Sequence, residues 1–208
     1  MRQVNTIASI NDITLVGTIV SSPELIKSHI GPNLYSLYFS TQRLSNISDT
    51  VEIVVKESML DRLSVGSQKL ICGEIRTKNE FVESKGKNKL IIYVFAKDII
   101  DVSDCEYNVN VAIIDGYICK TPLLRTTYSG KQICDILIAV NGRYGKSYYL
   151  PAVAFNAIAS HLSTKAVGDR VVVSGRLQSR QYIQDNKTYN VFELFISGVR
   201  GFNDGQEI

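Results

Sequence analysis

Between Arg125 and Lys187 the chain interleaves aromatic rings with cations. Arg125 and Lys131 flank TTYSGK, Arg143 and Lys146 flank Tyr144, and Lys187 sits at a polar hairpin tip. Arg176, Arg180 and Tyr182 are separated by even spacings, so on a strand they point the same way. Tyr149 and Phe155 likewise share one face of an ideal strand, and the core is the competing destination for that face. A flat ring can stack on a nucleobase, and a guanidinium or ammonium can hold a phosphate. Catalysis finds no comparable pattern. The histidines are His29 and His161, and the Ser, Asp and Glu residues form no recognisable triad.

These residues need elements to hold them, and composition favours sheet. Valine and isoleucine are frequent; there are 11 Tyr and 7 Phe but no Trp among 208 residues. No stretch approaches the ~20 apolar residues of a membrane span, and the start MRQVNTIASINDITL lacks the apolar core of a secretory signal. Cys72, Cys105, Cys119 and Cys134 form no CxxC pair, which predicts free thiols in the cytoplasm and no zinc site. No metal or other cofactor is expected. The net charge of +3 is compatible with a nucleic-acid partner without requiring one. Residues 1–104 are neutral, so the excess lies in the second half.

The pattern repeats. Asn11, Gly17 and Pro23 recur 99 residues later as Asn110, Gly116 and Pro122. Gly66 and Gly73 recur 102 residues later as Gly168 and Gly175. Each unit reads as a strand with an internal glycine, a proline break, two strands, a short helix, a Val-Gly turn, a strand with glycine, a charged loop and a last strand. Helical turns are expected at 58–63 in the first unit and a loop at 83–89. Strands this short must share a core, and closing the sheet removes exposed edges. The expected fold is all-β: two tandem five-stranded OB-fold barrels, each with a short helix between strands three and four. The domains are 1–103 and 104–208. Another small β-barrel or sandwich is the alternative.

The second unit resembles the bacterial single-stranded DNA-binding proteins. The resemblance is carried by Asn110 to Gly116, Pro122-Leu123, the Gly130 turn, Tyr149 to Phe155 and, most specifically, Gly168-Asp169-Arg170-Val171 through Gly175, Leu177, Arg180 and Tyr182. That last run is similar to the family's G-x-x-V-x-V-x-G-x-L-x-x-R-x-W/Y. The likeness covers 110–200 and survives over 11–100 only in outline; primosomal barrel proteins share the same fold signals. It implies sequence-tolerant single-stranded DNA binding without an enzymatic step, in replication, repair or recombination. It further implies assemblies presenting four barrels, here a homodimer of double-barrel chains.

By resemblance, Tyr149 and Tyr182 fall at stacking positions, Phe155 at a second binding ring, and Tyr144 near another. Arg125, Lys131, Arg143, Lys146, Arg176, Arg180 and Lys187 are the accompanying phosphate contacts. With every Trp of the family replaced by Tyr or absent, weaker stacking is expected. The first unit departs: Asp49 matches Tyr149, Val55 matches Phe155, and Glu80 or Phe81 matches Tyr182, while Arg76 and Lys78 match Gln178 and Arg180. Tyr35, Tyr38 and Phe81 are its aromatic candidates, and Lys85, Lys87 and Lys89 its loop cations. Acids on its face would repel phosphate, so it is expected to bind weakly and to stabilise the assembly instead. The ending GFNDGQEI lacks the family's acidic-hydrophobic tip, which weakens any expectation of replication proteins as partners. A tandem-barrel protein-interaction or primosome-like accessory module is the alternative function, and RNA remains a third ligand.

Overall fold

The computed structural model describes residues 9–26, 31–43, 45–82, 86–102, 109–142, 145–184 and 187–201, without side-chain detail at 82, 87, 181–184 and 187–190. The first half carries β1 (Asn11–Ile19), β2 (Glu24–Ile26), β3 (Leu34–Gln42), β4 (Ser48–Lys56), β5 (Gln68–Val82) and β6 (Lys87–Asp101). A 3-10 segment, Glu57–Arg62, joins β4 to β5. The second half carries β7 (Asn110–Thr126), β8 (Gln132–Asn141), β9 (Ser147–Phe155), α1 (Asn156–Ser163), β10 (Arg170–Gln184) and β11 (Lys187–Val199). The protein is mostly β, as its composition predicts.

Strand pairing closes a ring in each half. β1 pairs with β3 and β5, β3 with β4, β4 in parallel with β6, and β6 with β5. The second half repeats this order: β7 pairs with β8 and β10, β8 with β9, β9 in parallel with β11, and β11 with β10. The two rings are joined edge to edge where β1 pairs antiparallel with β7, Ile13 opposite Ala112.

Alternation decides which face is core. β8 buries Cys134, Ile136, Ile138 and Val140, and β9 buries Leu150, Ala152 and Ala154. Ala159 and Leu162 of α1 are buried against the same cluster. Residues of opposite parity face outward, and the candidate site is built from them.

The repeated asparagines have one structural job. Asn11 accepts from the Ile75 amide (2.9 Å) and donates to its carbonyl (2.8 Å). Asn110 does the same to Leu177, at 3.0 and 2.7 Å. Each side-chain amide thus replaces a missing ladder partner just beyond a strand irregularity. Those irregularities fall at the repeated glycines, between Cys72 and Gly73 and between Ser174 and Gly175. A Cβ on Gly175 would run into the Phe195 carbonyl oxygen, so only glycine permits the bend.

Three sequence expectations change. Pro23 is followed by an extra edge strand, β2, hydrogen-bonded to β3. Pro122 does not break β7, which continues to Thr126 with irregular register around Lys120. The polar stretch at 83–89 is shorter as a loop than expected, because β5 reaches Val82 and β6 begins at Lys87. In each case inter-strand pairing overrides local turn chemistry. His29, Lys85 and Cys105 lie outside the described residues. Among the described residues no helix is long and apolar enough to cross a membrane.

Candidate nucleic-acid interface

The outward face of β9, β11 and β10 gathers Tyr149, Phe155, Arg176 and Arg180. Leu150, Ala152 and Ala154 take the inner face of β9, so Tyr149 and Phe155 point outward. Tyr149 is 49% exposed. Phe155 is half-buried because it stacks on Phe195 of β11, with centroids 5.5 Å apart and planes at 30°. Arg176 lies opposite Phe195 on β10 and sets its guanidinium 4.3 Å from that ring centre. Two rings and a cation therefore form one layered platform, worth about 0.5–1.5 kcal/mol for the ring pair alone. The Arg176 guanidinium also donates to the Gln178 side-chain oxygen at 3.3 Å.

The cations are less available than the sequence suggested. Arg180 is exposed but donates to Glu193 of β11 at 3.2 Å. Arg125 donates to Asp135 of β8 at 2.7 Å. Both arginines thus carry a carboxylate that competes with phosphate. Lys131 and Lys146 are exposed and form no ion pair among the described residues. Tyr182 lies opposite Tyr189 in the β10–β11 register, and Lys187 opposite Gln184, but their side chains are outside the described set. Arg143 and Tyr144 are outside the described residues altogether.

Sequence reading missed Phe195 and Glu193. The signal was present: YNVFELFI alternates, so Val191, Glu193 and Phe195 share the face opposite Leu194 and Ile196. It also missed Phe95 and Tyr93 in the first unit. Arg76 sits 3.8 Å from the Phe95 ring centre, and Lys78 sits 5.5 Å from that of Tyr93.

The equivalent first-unit face is neutralised within itself. Arg76 pairs with Glu74 at 3.0 Å. Lys78 lies between Glu52 (2.8 Å) and Glu80 (3.1 Å). Burial lowers the Lys78 pKa, but hydrogen bonds to the two carboxylates outweigh it and raise the value above that of an ordinary lysine. Tyr38 and Phe81 are exposed, while Tyr35 is half-buried with its hydroxyl 3.5 Å from Glu57.

Asp49 corrects the expectation of phosphate repulsion at its position. It is 1% exposed, held by Arg43 through two bonds of 2.6 Å and by Ser179 of the other ring. Burial raises its pKa, yet the bonds from Arg43 and Ser179 outweigh that and leave it below the usual aspartate value. Arg43 also donates to the Ser179 carbonyl at 2.6 Å. The reciprocal contact is lighter: the Tyr149 amide donates to Thr77 Oγ1 at 3.2 Å, and Arg76 lies 5.8 Å from the Tyr148 ring centre.

The closed five-strand ring, with rings and cations on its outer face, can be set beside known proteins. Residues 109–200 match the model of the single-strand binding protein family. The resemblance read from Asn110 to Tyr182 is borne out. The fold is similar to that of the wild-type single-stranded DNA binding protein from Thermus aquaticus, with TM-score 0.74, 19% identity, and 96% of each chain covered. A deletion variant of that protein matches with TM-score 0.72 at 19% identity, over 95% of this chain and 98% of that one. The N-terminal domain of PriB from Thermoanaerobacter tencongensis matches at 27% identity over 45% of this chain and 98% of that one, with TM-score 0.37. No curated protein sequence matches the chain. Among the described residues no group of His, Cys, Asp and Glu is arranged to hold a metal ion.

Proposed function

We propose that this protein binds single-stranded DNA without sequence preference and without catalysis, on the outer face of its second ring. The observation that carries this reading is the Phe155–Phe195–Arg176 platform beside exposed Tyr149, on the unit that matches the family. Bases stack on Tyr149 and on the platform, while Arg176, Lys131 and Lys146 take phosphates, with Tyr182, Tyr144, Arg143 and Lys187 extending the track around the hairpins. We read the chain as two tandem OB-fold domains, 1–103 and 104–208, acting on cytoplasmic DNA during replication, repair or recombination. The first domain is a weak binder, because Arg76 and Lys78 on its equivalent face are already paired with Glu74, Glu52 and Glu80.

Val111 and Ile113 are 51% and 43% exposed on the outward face of β7, where the two rings join. A second copy covering them would give a homodimer of four barrels, measurable by sedimentation. The neutralised first face also favours a second reading, an accessory module that meets replication proteins through the first domain.

Anisotropy of labelled oligo-dT, matched duplex and RNA at two salt concentrations tests the function. Tight single-strand binding that weakens with salt and in Tyr149→Ala and Tyr182→Ala supports it. Absence of single-strand binding at low salt sinks it in favour of the accessory module.

A further inference from the structure

Where α1 gives way to β10, a cleft of about 310 Å³ opens between Lys165, His161, Arg170, Val172 and Arg200. None of these residues belongs to the ring-and-cation platform. Arg170 is bound by Asp115 through bonds of 2.9 and 2.6 Å, which cancels one charge. Lys165 is half-buried and Arg200 exposed, and neither forms an ion pair among the described residues. The cleft thus holds three cations against one carboxylate. The other nearby acid, Asp169, turns to the Ala166 amide at 2.9 Å. The crowding has an electrical effect: burial and the Lys165 charge together hold the His161 imidazole below its ordinary pKa. Cations gathered in a concavity with too few anions are stabilised by an anionic ligand.

The position of the cleft identifies the ligand. Arg170 shares its strand parity with Arg176 and Arg180, so all three stand on the outward side of β10. Six residues of strand separate Arg170 from Arg176, roughly 20 Å. Arg200 joins the same surface, since its amide donates to the Val172 carbonyl at 2.9 Å.

We infer that this cleft is a second phosphate-binding site, taking backbone phosphate of a single strand that continues past the platform. The inference rests on the single-strand reading above. The ligand chemistry is a phosphate group, which inorganic phosphate shares.

The test uses the full chain and the double variant Lys165→Gln/Arg200→Gln, with folding checked by thermal melting. Two oligo-dT probes are compared, a short one of roughly 8 nucleotides that fills one groove and a long one of roughly 30. The expected result is unchanged affinity for the short probe and several-fold weaker binding of the long one. The slope of log K against log salt for the long probe should become shallower by about 1.4, two contacts at about 0.7 each. Equal losses on both probes, or no loss on either, overturn the inference. If the wild type binds no short probe, the single-strand reading itself fails. Inorganic phosphate titrated against wild type and variant, followed by the His161 imidazole NMR signals, then decides the cleft alone. Saturation lost in the variant supports a phosphate site, and identical flat titrations overturn it.

Discussion

Asp49 accepts hydrogen bonds from both the amide (2.8 Å) and the hydroxyl (2.6 Å) of Ser179, 130 residues further along the chain. This contact, with Arg43 bridging to the Ser179 carbonyl, ties the β3–β4 hairpin of one ring to β10 of the other. Ser179 directly precedes Arg180, so the tie holds the strand that presents the predicted binding hairpin. The structure corrects the sequence match: β4 (Ser48–Lys56) lies in register with β9 (Ser147–Phe155), so Asp49 takes the place of Tyr148 and Thr50 that of Tyr149. The first unit has a buried inter-unit carboxylate where the second has the half-buried Tyr148, whose ring faces Arg76 of the other unit.

Asp49 links stability to pH. Its folded pKa lies below the unfolded value, so its contribution is complete above the unfolded pKa and disappears as pH falls through the folded one. That window lies from about pH 4 downward. Asp49→Asn should therefore be less stable than wild type at pH 7 and should converge with it in acid. Urea melts across pH check this; a difference that persists undiminished at the lowest pH would contradict it.

Arg43→Ala should destabilise strongly, by about 3 kcal/mol, because it strands a buried carboxylate. The side chains concerned are 18% exposed for Arg43 and 2% for Asp49. Restoring neutrality with Arg43→Ala/Asp49→Asn should recover part of the loss, which a double-mutant cycle in urea measures.

Glu193 holds Arg180 on the proposed binding face. Glu193→Gln should release that guanidinium to phosphate, tightening oligo-dT binding several-fold at low salt. The salt slope should steepen by about 0.7. Unaltered slope and affinity would show that Arg180 does not contact the strand.

Phe195→Ala removes the middle layer of the Phe155–Phe195–Arg176 platform. Loss of one stacked base should weaken binding by about 1–3 kcal/mol. Phe95→Ala, the first-unit counterpart beneath Arg76, should leave oligo-dT affinity nearly unchanged. Anisotropy on both variants compares the two faces directly, and equal losses would argue that both units bind.

Asn110→Ala should cost about 1–3 kcal/mol, because the buried Leu177 amide and carbonyl lose their partner together. Asn11→Ala should do the same at Ile75. Thermal melting of the two variants should show similar falls.

The repeat, the β class and the likeness of the second unit to the single-strand binding protein family are legible in the order of residues alone. Those are properties of local order: alternating residues, glycines at bends and asparagines at a fixed offset. Gly73 and Gly175 are legible because only a missing Cβ permits their bends. The outward direction of Tyr149 followed once Leu150 and Ala152 were seen to be core. Which charges are neutralised depends on the folded rings. Arg180 and Arg125 look available in the chain, yet Glu193 and Asp135 reach them from neighbouring strands. Asp49 looks like an exposed acid, yet a strand from the other ring buries it. Charge pairing depends on distances of a few ångström between residues far apart in sequence, and strand register sets those distances only after the rings close.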